Sequence, residues 1–223
     1  KALSKLDLGD YYLMKNEVWE ATLLYSQVDK AYKEDMLGEE ARFKNAKLAY
    51  YNGDFEWAQA QLNVLKASTS ELISNDALHL SVFITDNLGL DTTAAPMQMF
   101  ARADLLFLQH KTALAFQTLD SIANNYEGHG LSDDILYTKA KVKIKQRQFD
   151  AAATDLENIV ANFKEDILVD DAIFLLAELY ETKLNDKPKA MEYYQSLLID
   201  YPGSLYLVEA RKRFRRLRGD NLN

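Results

Sequence analysis

Residues able to do chemistry are few in this chain and widely spaced. The three histidines, His79, His110 and His129, are far apart, and none has an i, i+4 partner of metal-binding type. His129 lies in a glycine-flanked connection, Glu127-Gly-His-Gly130, which reads as an exposed loop. There is no cysteine, so disulfides, thiolate metal sites and thiol nucleophiles are excluded. No glycine-rich phosphate loop, nucleophile elbow or EF-hand spacing occurs. Acidic pairs recur: Glu39-Glu40, Asp133-Asp134 and Asp170-Asp171. They stand where helices are expected to begin. Helix capping explains them better than acid–base catalysis, with Ser132 to Asp134 and Asp170-Asp171 read as caps for the free N–H groups of a first turn. The chain therefore reads as not an enzyme, with no cofactor and no metal.

One charged run stands out. Between Arg211 and Arg218 lie six basic residues, although the chain as a whole has net charge −8. An acidic protein repels a phosphate backbone, and only Phe214 interleaves the run, so nucleic acid is not the expected partner. Leu207, Ala210, Phe214 and Leu217 form an apolar stripe at i, i+3, i+7 and i+10. The segment 204–218 is read as a terminal capping helix whose stripe seals the end of a stack and whose basic residues occupy the remaining surface. Docking of the run on an acidic protein or an anionic headgroup is the alternative. Tyr201-Pro202-Gly203-Ser204 separates this helix from the preceding one, with Ser204 as its expected cap.

The elements that would position any site are repetitive. Asn45–Leu65 and Lys139–Ile159 share one frame: an alanine, a turn ending in Phe55 or Phe149, then Ala58 or Ala152, Leu62 or Leu156, and Leu65 or Ile159. The first copy carries Gly9, Ala21, Tyr25 and Val28, a third Ala103, Ala115, Leu119 and Ile122, and the last Ala177, Ala190, Tyr194 and Leu197. Few prolines and glycines, and few β-branched runs, favour long helices. The spacing predicts helix pairs with frame starts near 2, 39, 96, 133 and 170. One additional helix and loop are inserted at 75–95. Small residues let two helices approach; large apolar residues four and seven positions later seal the pair against its neighbour. A single pair cannot bury its apolar face alone, so the copies must stack. The expected fold is an all-α solenoid, a right-handed superhelix of about five pairs forming one domain over 1–223.

This pattern resembles the tetratricopeptide repeat family. The matching residues are Leu8-Gly9, Tyr12, Ala21 and Tyr25 in the first copy, and Ala177, Tyr180, Ala190, Tyr194 and Pro202 in the last. Tryptophan is missing at the usual early position, and the period is 37. The junction Asp200–Arg211 is also similar to those of bacterial cell-envelope members of the family, of the outer-membrane assembly lipoprotein and Tol-Pal coordinator types. That resemblance implies a periplasmic scaffold, with a cytoplasmic location as the alternative. The chain starts at Lys1 with helical pattern at once, and is read as part of a longer precursor, tethered to the outer membrane through an N-terminal lipid anchor upstream. No apolar run is long enough to span a bilayer.

In the family the first helix of each pair lines the concave side. The fifth position of four copies holds an aromatic: Phe43, Phe100, Tyr137 and Phe174. Farther along the same helices come Lys47, Tyr50, Tyr51, Asp104, Phe107, Lys141, Ile144, Glu178 and Glu181. These rings read either as a groove receiving a peptide or as core between adjacent pairs. Tyr50, Tyr51 and Phe107 are the better groove candidates, because adjacent positions cannot all face inward. The insert 75–95 is a second candidate site, or a helix that merely covers the groove. The function expected is a non-catalytic scaffold for a protein or peptide in an envelope assembly. A peptidoglycan- or polysaccharide-associated adaptor and a regulatory subunit of an enzyme are the alternatives.

Overall fold

The computed structural model describes residues 1–33, 35–67, 70–88 and 93–220. Twelve helices account for the regular structure among them, with no strand. They gather in two compact units where the sequence suggests one array: Lys1–Gly130 and Leu131–Asn223. The first holds α1 (Ala2–Met14), α2 (Val18–Ala31), α3 (Met36–Tyr51), α4 (Phe55–Leu65), α5 (Glu71–Leu88), α6 (Ala95–Leu108) and α7 (Thr112–Asn125). The second holds α8 (Ser132–Lys145), α9 (Phe149–Asn162), α10 (Val169–Thr182), α11 (Lys187–Asp200) and α12 (Leu207–Arg218).

Helix pairs are the building unit, as the spacing predicts. α1 packs on α2, α3 on α4, α6 on α7, α8 on α9 and α10 on α11. The small-large-large triples of the second helices are all in the core: Ala21, Tyr25 and Val28; Ala58, Leu62 and Leu65; Ala115, Leu119 and Ile122; Ala152, Leu156 and Ile159; Ala190, Tyr194 and Leu197. Burial of each large side chain contributes roughly 1.5–3 kcal/mol relative to exposure, so these positions dominate pair stability. The facing small residues Ala46, Ala103, Ala140 and Ala177 are fully buried too. In the first pair that place is Gly9, because a Cβ there would come within 2.4 Å of the Tyr25 ring.

The turn inside each pair is one backbone motif written with different letters. Asn16, Gly53, His110, Arg147 and Asn185 all adopt positive φ. In the first four, this residue's N–H returns to the carbonyl three residues earlier: Leu13, Tyr50, Phe107 and Ile144. The next N–H reaches five back, to Tyr12, Ala49, Leu106 and Lys143. These bonds satisfy the last carbonyls of the first helix. In α10–α11 the extra residue stretches this bond, and Asp186 N–H reaches the Tyr180 carbonyl at 2.9 Å.

The caps differ from expectation. α8 and α10 begin without a side-chain cap, and Asp133, Asp134, Asp170 and Asp171 sit inside the first turn, where they complement the helix dipole. Side chains that do cap include Asp35 on Leu37 N–H, Asp54 on Trp57 N–H and Asp186 on Lys189 N–H, and Ser70 Oγ accepts from Ile73 N–H at the start of α5. Ser204 likewise acts before α12 rather than at its cap, accepting from Tyr206 N–H at 3.2 Å. Pro188 lies in the first turn of α11, where no N–H is needed.

The insert is structural. α5 packs on α4 and α3, while α3 packs directly on α6. Ile73, Ala77, Ser81 and Ile84 form its buried side. Ser81 Oγ donates to Gln59 Oε1 at 2.6 Å, and Gln59 Nε2 donates back to the Ser81 carbonyl at 2.8 Å. Part of the loop read after it, 89–92, lies outside the described residues.

Candidate partner-binding faces

In the first unit, α3 carries a ladder at i, i+4 and i+8. Lys47 Nζ lies 6.0 Å from the Phe43 ring centre and 5.7 Å from that of Tyr51. All three side chains are half-buried, so the ladder presents an apolar face with one cation held by two rings. Burial first, and then the carboxylates of Asp104 and Asp10, push the Tyr51 hydroxyl far up, so it stays protonated as a donor.

Two expected groove residues belong to the core. Tyr50 is 2% exposed and Phe100 3%. The cause is the insert: Phe83 of α5 sits 6.3 Å from the Tyr50 ring and 5.1 Å from the Phe100 ring. Tyr50 Oη donates to Asp104 Oδ2 at 2.8 Å, which ties α3 to α6 and spends Asp104 inside the unit. Phe107 is half-buried, edge-on to Phe116 at 5.6 Å.

In the second unit, Tyr137 and Lys141 of α8 repeat the Phe43–Lys47 arrangement at 4.6 Å. Ile144 packs at the margin of the core. The expected face on α10 is already covered by α12. Phe174 stacks on Tyr206, centres 4.5 Å apart and planes 13° apart. Glu178 pairs with Arg213 at 3.0 Å. Glu181, whose side chain is 10% exposed, binds Arg213 at 3.2 Å and Arg216 at 2.6 Å, and accepts from Tyr194 Oη at 2.8 Å. Phe174, Glu178 and Glu181 are therefore inter-helix contacts.

This also corrects the reading of the basic run as remaining surface. Arg213 and Arg216 reach back to α10, Arg215 and Arg218 pair with Asp220, and Lys212 pairs with Glu209. The same arrangement holds α3 to the first pair, and the sequence reading missed it. Tyr25 Oη donates to Asp10 at 2.6 Å, and Lys44 Nζ reaches both Asp10 oxygens at 2.9 Å. A tyrosine from a second helix, a carboxylate from its first helix and a cation from the next first helix form one clasp at both places. The shared spacing of Tyr25 and Tyr194 was the available signal.

His79 and His110 are exposed on separate elements, and His129 packs edge-on to Tyr126 at 6.5 Å. On the insert, Leu72, Leu78 and Val82 face outward. Among the described residues no helix is long and apolar enough to cross a membrane.

With the pairs in place, comparison with known proteins gives a family match. The tetratricopeptide repeat model matches residues 171–204, which span α10, α11 and the turn after them. No curated protein matches the chain.

Proposed function

We propose that the chain is a non-catalytic scaffold that binds a protein or peptide, acting on the periplasmic side of a bacterial envelope assembly. The tetratricopeptide match carries the scaffold reading, since repeats of that kind hold protein partners. The half-buried Phe43–Lys47–Tyr51 face supports a docking place on α3: two rings give apolar contact and Lys47 gives a cation for a carboxylate. The envelope setting rests on the junction Asp200–Arg211 and its likeness to envelope members of the family.

The test is affinity capture from separate envelope and cytosolic extracts. The bait is this chain or its Phe43→Ala/Lys47→Glu variant, with helical circular dichroism checked for both. A defined protein captured from the envelope fraction by the parent, and lost with the variant, is the expected result. Equal capture by both removes α3 as the site. Capture from cytosol alone overturns the envelope setting and leaves the scaffold.

A further inference from the structure

The second unit has an open cleft of about 1150 Å³ on a face of α10 that α12 does not cover. Its walls come from α9 and α11, and its ends from the two junctions Lys164–Ile167 and Tyr201–Ser204. Apolar contact comes from Val160, Val169, Ile173 and the exposed Ile167. Among the described residues the charged lining is one-sided: Glu157, Glu165, Asp166, Asp170 and Asp200 against the single cation Lys164.

Acids elsewhere in this unit are largely matched. Asp155 has Lys143, Glu178 and Glu181 have the arginines of α12, and Asp171 accepts from Tyr206. In the cleft, Glu157 is engaged by Tyr180 and Lys189, and Asp200 by Ser196. Among the described residues, Glu165, Asp166 and Asp170 have no ion pair. The Tyr201 hydroxyl registers the resulting field: burial and then Asp200, Glu165 and Asp170 hold its pKa up. Among the described residues, carboxylates do not gather into a group able to hold one metal ion. They are spread along a cleft with apolar contacts, which suits cations spaced along a chain that also carries apolar side chains.

We infer that this cleft docks an extended segment of a partner protein in which lysine or arginine alternates with apolar residues. The inference rests on the reading of the chain as a protein-binding scaffold and adds a second face to it. Lysine or arginine would sit against Glu165, Asp166 and Asp170, and the apolar side chains against Val160 and Ile173.

The experiment uses the whole chain and a fluorescein-labelled decapeptide with lysine at alternate positions and leucine between, beside a counterpart with glutamate for lysine. Binding is followed by anisotropy and mapped by amide chemical shifts. The groove variant is Glu165→Gln/Asp166→Asn/Asp170→Asn. The control, Glu17→Gln/Glu20→Gln/Glu56→Gln, changes net charge equally at the starts of α2 and α4. The lysine peptide should bind and the glutamate peptide should not. The groove variant should weaken binding about tenfold or more, with the control close to parent. Shifts should gather at 164–170 and at Gly203 and Ser204. Equal weakening by both variants, no binding of the lysine peptide, or shifts on α3 instead would each overturn the assignment. Shifts on α3 would leave the scaffold reading standing. Competition of the peptide with self-association would make a second copy of the chain the occupant, and would overturn the foreign partner.

Discussion

Replacing Arg213 with methionine keeps most of the side-chain stem and removes three carboxylate contacts. Their worth is unequal. Glu178 and Glu209 have side chains 39% and 45% exposed, so water replaces the guanidinium at little cost. Glu181 is the enclosed partner, and it keeps Arg216 and Tyr194. One charge-assisted bond and the packing over Phe174 are lost, which sets the cost near 2 kcal/mol. Arg216, more exposed, should cost about 1 kcal/mol when made methionine. The double variant leaves the Glu181 carboxylate with Tyr194 alone. Stranding an enclosed charge costs ~3–5 kcal/mol, so the pair should be worse than the sum of the singles by about 1 kcal/mol. Adding Glu181→Gln should recover part of that excess. The assay is urea unfolding by circular dichroism, with hydrogen exchange at the α12 amides. A double variant that loses under 1 kcal/mol, or that Glu181→Gln worsens further, would refute the idea that Glu181 fastens α12.

The same carboxyl gives a pH signature. Burial alone would raise the Glu181 pKa, and the bonds from Tyr194, Arg216 and Arg213 outweigh it, so the folded value is lowered. Its stabilisation is therefore complete above the unfolded value near 4.3 and is lost as pH falls through the lower folded one. Acid titration of helix content should show a loss in that window that is smaller in Glu181→Gln. A second expectation concerns Arg147, which holds φ of 61° where the second pair has Gly53. A left-handed residue with a Cβ costs ~1–2 kcal/mol, and glycine costs ~0.5–1 kcal/mol in the unfolded chain, so Arg147→Gly should gain about 0.5–1 kcal/mol. The melting temperature should rise by ~1–4 °C, and a fall would show that the exposed Arg147 side chain makes a contact that matters.

The helix pairs and their buried triples are legible because small-large-large spacing is a packing requirement and leaves a mark on residue type. The intra-pair turn is not. Asparagine, glycine, histidine and arginine all serve there, since the hydrogen bonds belong to the backbone and the cost of positive φ is small beside the core it joins. Tyr50 illustrates a second limit. Its place on α3 marks it as a groove candidate, and only the return of α5 with Phe83 turns that place into core. Arg213 is a third. It flanks the apolar stripe of α12, and its long stem lets the charge turn toward Glu178 and Glu181, a direction that charge spacing does not encode.

The packing of α3 has a consequence for how each unit comes apart. α3 touches α1, α2, α4, α5 and α6, so the first unit is wired as a hub. Loss of any one spoke exposes part of the same central helix, and unfolding there should be concerted. The second unit is wired in series from α8 to α12 by backbone neighbours, with side-chain clasps from α12 to α10 at its end. A serial array frays from its terminus inward, at a free energy below that of global opening. Within one chain, then, one unit melts as a block, while the other sheds its last helix first, and with it the cover over Phe174.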